Sequence, residues 1–242
     1  MLTLTSWDDG HPLDLRLAET LRKYGLAGTF FAPIENREGR PVMGGEQLRE
    51  LDKCFEVGSH TRTHHYLSDI SQVDMTREIN EGKRLLEDEL GHPVPGFCYP
   101  GGHVDNEIAR LVESAGFRYA RTIENMRFDL GKDPWHVPTS FQFYPHGYGV
   151  LTRNFLRYPA RSKIPLVAHR LGRREFGAFL RQVAERCARL NGIFHLWGHS
   201  WEIEEQGLWA ELEHFLGYLS TLSSRSITLA QAIAESSLIP ER

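Results

Sequence analysis

The chain has 242 residues, 40% hydrophobic and 25% charged, a globular composition with enough apolar material for a large core. Its 28 lysines and arginines face 32 aspartates and glutamates, and the net charge of −4 gives no sign of a nucleic-acid partner. Three widely spaced cysteines, Cys54, Cys98 and Cys187, point to a reducing compartment rather than a disulfide framework. The start carries no signal-peptide pattern, and no stretch approaches the roughly 20 apolar residues of a membrane span, so a cytoplasmic protein is expected.

Short β-type runs alternate with longer helical ones. Leu2–Trp7 reads as a strand, and Pro12–Tyr24 as a helix with Leu13, Leu17 and Leu21 on one face. Ala27–Pro33 is a second strand, Gly45–Leu51 a short helix and Cys54–Ser59 a third strand. Ser71 caps a long helix that runs through Leu90 and stops at Gly91 and Pro93. A strand at Pro95–Tyr99, a helix at Asp105–Ala115 and a strand at Phe117–Thr122 follow.

Beyond that the pattern loosens. His136–Phe143 is a strand candidate, and Tyr144–Leu171 has no clear period. Arg174–Leu190 is helical, Gly192–Trp197 a buried strand and Leu208–Leu222 a helix, with a short strand at Ser226–Leu229 before a terminal helix. Repeated βα units argue for parallel strands flanked by helices, as a barrel or a doubly wound sheet. Neither repeats nor linkers break the chain, so one domain over 1–242 is expected.

Parallel strands put their C-terminal ends on one rim, where such folds place active sites. Asp8 and Asp9 follow the first strand, His60 and His64 the third, "CYPGGHVD" the fourth, and His199 lies two residues past the late strand. At i and i+4, His60 and His64 share one face of a helical turn, where two imidazoles can meet one ion. Two imidazoles and a carboxylate leave positions open for water and substrate. A polar loop with incidental histidines explains that spacing alone, but not the neighbouring aspartate pair. A cation offsets the repulsion of adjacent aspartates, one holding the ion and the other taking a proton from water. Capping a helix that starts near Pro12 explains one aspartate but not both.

SWDDG, SHTRTH and the late His199 together resemble the polysaccharide deacetylase family, also called NodB-homology or carbohydrate esterase family four. The likeness runs over roughly residues 3 to 235, with motifs in the family's order. It implies an α/β fold, a distorted (β/α) barrel of about seven parallel strands. It implies Asp8 as general base, with Asp9, His60 and His64 binding one divalent ion such as Zn2+. His199 becomes the acid, because it lies past the strand end where His195 lies within it. The implied activity is removal of an N-acyl group, acetyl first of all, from an amino sugar or glycan. Rival readings are a deformylase or other small-amide hydrolase on the same fold, and a glycan-binding pseudoenzyme.

The third family motif departs at Phe97–Gly102: its base-pairing arginine is Cys98 here and its tyrosine is Gly101. Arg121 is a candidate stand-in for the arginine, and a backbone N–H near Gly101 for binding an oxyanion. Cys98 has no activating partner in sequence and reads as filling the lost side chain's space. "DPWHVP" stands where the fourth motif is expected. Aromatic faces suit sugar rings, so Trp135 and Trp201, with Tyr99, Pro100 and Gly101, are the candidate substrate-binding residues. Arg153, Arg157, Arg161, Lys163, Arg170, Arg173 and Arg174 form a run free of acidic residues. A solvated basic face explains that run without a ligand, and arginine forks also suit phosphate, so a phosphorylated sugar is a candidate substrate.

Overall fold

The structure is a computed structural model and describes residues 1–145, 173–236 and 238. In chain order the first half holds β1 (Leu2–Asp8), α1 (Asp14–Lys23), β2 (Thr29–Ala32), α2 (Gly45–Asp52), β3 (Glu56–Ser59), α3 (Gln72–Leu90), β4 (Gly96–Cys98), α4 (Asn106–Ser114) and β5 (Tyr119–Arg121). The second half holds β6 (Phe141–Gln142), α5 (Arg173–Arg189), β7 (Ile193–Gly198), α6 (Ser200–Glu205), α7 (Trp209–Leu222), β8 (Arg225–Ser226) and α8 (Leu229–Ala234). Hydrogen bonds order the strands β5-β4-β3-β2-β1-β7-β6, with β8 beside β1, and every pairing is parallel.

The segment before β6 closes this sheet into a distorted barrel. Val137 exchanges backbone hydrogen bonds with Ala120 and Thr122 at β5, while Phe141 and Gln142 pair with Leu196 and Trp197 of β7. The strand expected over His136–Phe143 is therefore one bridge and two paired residues. It crosses from one edge of the sheet to the other rather than lying along either.

Alternation along each strand sorts side chains between the interior and the helix layer. On β1, Leu4 joins the interior cluster with Phe31, Cys98, Tyr119 and Val137, while Trp7 joins the outer core with Phe30, Phe97 and the helices. Both faces are buried, which is why β2 reads TFFA without a polar position after its first residue. Ile227, Leu229, Ala232 and Ile233 close the interior cluster from the C-terminal end of the chain. Ser71 accepts Asp74 N–H to cap α3, and Gly91 ends that helix in a left-handed conformation.

Two end regions differ from expectation. Residues 200–205 form a helix, α6, between the expected strand at Gly192–Trp197 and helix at Leu208–Leu222, where no element is expected. The last strand is Arg225–Ser226, because Thr228 caps α8 through a capping box with Gln231 and ends the extended stretch early. Among the described residues no helix is long and apolar enough to cross a membrane. Of the basic run, Arg153 through Arg170 lies outside the described residues, as do the side chains of Arg173 and Arg174.

Candidate active site

Asp8 ends β1 and is buried at 3% exposure. The chain then turns sharply: Asp9 and Gly10 both take positive φ, +77° and +59°. A side chain at Gly10 would sit 2.7 Å from the Ala32 Cβ, so that close approach needs glycine. The two aspartates therefore part through a left-handed turn, not through the simple alternation of an extended strand. His60 and His64 do not lie on a helical turn either. Thr61 and His64 take φ of +66° and +58°, folding the loop back so that the two rings meet with centroids 5.0 Å apart. Five described non-glycine residues have positive φ, and three of them, Asp9, Thr61 and His64, build this one site. Such backbone costs about 1–3 kcal/mol per residue and persists where surroundings over-determine it. Glu78 of α3 does some of this, accepting the Thr63 N–H and hydroxyl at 2.8 Å each.

The donor atoms converge. Asp9 Oδ1 lies 3.1 Å from His64 Nε2 and 3.6 Å from His60 Nε2, and this oxygen is buried without a hydrogen-bond partner. His60 Nδ1 donates to the Cys98 carbonyl at 2.8 Å, which leaves Nε2 bare toward Asp9. The far nitrogen of His64 faces Glu38 Oε1 at 3.5 Å. Burial raises the Asp9 carboxyl, but His199, His60 and His64 outweigh it and hold it well below its ordinary value. Burial lowers His64, and Asp9 with Glu38 lifts it above its ordinary value. The three ligand atoms lie within 4.8 Å of one another, and this donor set fits a divalent ion.

Asp8 sits beside them with a different partner. Arg121, wholly buried on β5, donates through Nη2 to Asp8 Oδ1, and the Cys98 thiol lies 3.7 Å from Oδ2. Cys98 and Arg121 are register partners across β4 and β5. The guanidinium that the family motif places at residue 98 is thus supplied from the neighbouring strand at the same level. Burial raises Asp8, yet Arg121, His60 and His199 keep it below its ordinary value, so it is ionised at neutral pH. Burial pushes the Cys98 thiol well above its usual range, which leaves it no nucleophilic thiolate.

His199 caps α6 without a side-chain bond to that helix's backbone, and its Nδ1 donates to Glu202 Oε2 at 2.6 Å. Burial lowers its pKa, but Asp9, Glu202 and Asp8 carry it up to about 9. His195, four residues earlier, bonds Ser6 Oγ at 2.8 Å and the Pro138 carbonyl at 2.9 Å inside the barrel.

The expected substrate residues scatter. Gly101 is exposed in a 3-10 turn after β4. Tyr99 and Pro100 are buried, because Phe97 and Tyr99 share one face of the chain and pack edge to face in the helix layer, with centroids 5.3 Å apart. The Tyr99 hydroxyl donates to the Trp135 carbonyl, so neither Tyr99 nor Pro100 offers a side chain to a ligand. Trp135 lines a separate pocket of about 400 Å³ with Arg110, Glu113, Asp133 and His136 along α4. Trp201 does reach the site, but its Nε1–H donates to Asp9 Oδ2 at 2.8 Å. Sequence reasoning misses Glu38 and Glu202. The spacing of Glu202, three residues past His199, is a usable signal once α6 is known, while nothing local marks Glu38.

Residues 2–120 match the family described as Polysaccharide deacetylase. The peptidoglycan-N-acetylglucosamine deacetylase of Bacillus cereus is 27% identical over 103 residues, 43% of this chain and 46% of that protein. Just under half of the chain is thus similar to the polysaccharide deacetylase family. The chain's match spans less than half the length of that curated relative. Two solved structures share the fold of this polysaccharide deacetylase homologue. The chitin deacetylase of Colletotrichum lindemuthianum is 15% identical at a TM-score of 0.62, covering 98% of this chain and 88% of that one. A family 4 carbohydrate esterase from Streptomyces lividans, solved with acetate, is 14% identical at a TM-score of 0.54, covering 91% and 86%.

Proposed function

We propose that the chain is a divalent-metal-dependent hydrolase, one catalytic domain over 1–242, that removes an N-acetyl group from an amino sugar or glycan. The observation that carries this reading is Asp9 Oδ1, buried, without a hydrogen bond and faced by two imidazole nitrogens, next to an ionised Asp8 and a raised His199. Asp9, His60 and His64 would hold the ion, Zn2+ being the best fit to two imidazoles and a carboxylate. When bound, such an ion polarises a carbonyl and makes water more acidic.

The chain's own groups divide the proton transfers. Asp8, ionised and fixed by Arg121, accepts a proton from the attacking water. His199, protonated below about pH 9, delivers one to the departing amine, which leaves poorly without it. Glu202 holds the ring through Nδ1, so Nε2 carries the transferred proton. The exposed turn at Gly101 is where a backbone N–H would meet the developing oxyanion. Acetylated amino sugar is what the names of the Bacillus and Colletotrichum relatives share, and it supports the substrate class. The match to that family favours this over a deformylase, another small-amide hydrolase or a glycan-binding pseudoenzyme. A phosphorylated sugar rests on the basic run alone. A cytoplasmic site of action rests on Cys54, Cys98 and Cys187, all three of them free.

The test is release of acetate from β-linked N-acetylglucosamine oligomers by the zinc-loaded chain, beside a panel of formylated sugars and small amides. Turnover of the oligomers with acetate as product is expected. Formate release or small-amide hydrolysis without it would move the assignment to the rival substrates, and no turnover with intact metal binding would favour the pseudoenzyme.

A further inference from the structure

The two oxygens of Asp9 live in different surroundings. Oδ1 faces the imidazoles of His60 and His64 and has no hydrogen bond, whereas Oδ2 accepts the indole N–H of Trp201 at 2.8 Å. An indole nitrogen only donates, so this contact favours an ionised carboxylate held in one plane. The terminal torsion of an aspartate is otherwise broad. Without the bond, Oδ2 is free to swing toward the imidazoles in place of Oδ1.

Trp201 is itself clamped. The Arg40 guanidinium lies 3.4 Å above its ring centroid, and Arg40 Nη1 reaches Glu205 Oε1 at 3.3 Å. A cation over an indole face at that distance is attractive. Arg40 and Glu38, which faces His64, belong to the same loop between β2 and α2. That loop is fixed by Ile34, Glu35 and Arg37 N–H bonds to the carbonyls of Arg62 and Thr63. Trp201 also lies two residues past His199 on α6, with ring centroids 5.3 Å apart.

We propose that Trp201 is a positioning residue for the metal ligand: its N–H fixes Asp9 so that Oδ1 alone faces the ion, and Arg40 holds the indole in place. This rests on the metal reading above. The bland account is that Asp9 is merely the nearest acceptor for a packed indole.

The experiment measures Zn2+ affinity of the full chain, stripped with a chelator, by competition with a chromophoric chelator. Trp201→Phe keeps the ring under Arg40 and removes only the donor. It is expected to weaken zinc about 10–100-fold, the usual effect of losing an outer partner of a ligand. The metal-free melting temperature should stay near wild type while the zinc-induced rise shrinks. Arg40→Met should weaken zinc in the same direction but less, and it carries the test if Trp201→Phe does not fold. Zinc affinity within twofold of wild type in the folded variant, or in Arg40→Met if that alone folds, overturns the proposal and leaves the site standing. Unchanged zinc binding in a His60→Ala, His64→Ala double variant overturns the site itself.

Discussion

His195 and His199 are four residues apart at one strand exit, and the two regions they occupy leave one neutral and the other charged. Inside the barrel, His195 is 2% exposed; burial and the Arg121 guanidinium push its pKa down to about 3, so it stays neutral. At the rim, carboxylates surround His199. Burial pulls it down as well, but Asp9, Glu202 and Asp8 win and carry it to about 9. The acid in a site like this is therefore named by its neighbours rather than by residue type or chain position. Asp8 joins the two regions, buried at the end of β1 and bonded to an interior arginine that keeps it ionised.

The comparison breaks most sharply on substitution of the two histidines. His199→Ala should lower kcat about 10²–10⁴-fold, the range for a positioned proton donor, with stability little changed. His195→Ala should do the reverse, leaving Ser6 and the Pro138 carbonyl unpaired at a cost of about 1–3 kcal/mol in urea unfolding. A large kcat loss at His195 with a mild one at His199 would exchange their roles.

Arg121→Met tests the link between interior and rim. It strips a buried carboxylate of its cation, which typically costs about 3–5 kcal/mol in stability. The same change should move the acid limb of the rate profile upward, because Arg121 is the largest influence lowering Asp8. Stability within about 0.5 kcal/mol of wild type, on the scale of an ordinary surface change, would mean that the pair does not hold the base.

The smallest effect is a shift of pH profile. His199 acts as acid only while protonated, so turnover should fall as pH rises through its folded value of about 9. An ion beside Asp9 offsets the strongest of the raising influences, which places the limb of the loaded enzyme at or below that pH. Glu202→Gln should move the limb to still lower pH, toward the ordinary histidine value. An unmoved limb would remove Glu202 from the acid.

The clustering of Asp8, Asp9, His60, His64 and His199 was legible because each stands at a strand end or in the loop that follows one, and parallel strands bring such ends to one rim. Short runs of β-type residues likewise marked β1, β2 and β7, which are buried on both faces. Tyr99 was misread as a rim residue because the following Pro-Gly-Gly signals a loop, while its strand alternation sends it into the helix layer beside Phe97. Glu38, Arg40 and the Trp201 bond to Asp9 depend on how the loop between β2 and α2 folds over Arg62 and Thr63. No local pattern encodes that. The extra helix after His199 was hidden because six residues are too few to show a helical period.

The most direct test combines metal content and acetate release in wild type and in the His60→Ala, His64→Ala double variant. The account predicts one divalent ion per wild-type chain, acetate release that a chelator abolishes and zinc restores, and neither ion nor turnover in the double variant. An ion retained at full occupancy in that folded variant, or undiminished acetate release from the chelated wild type, would contradict it.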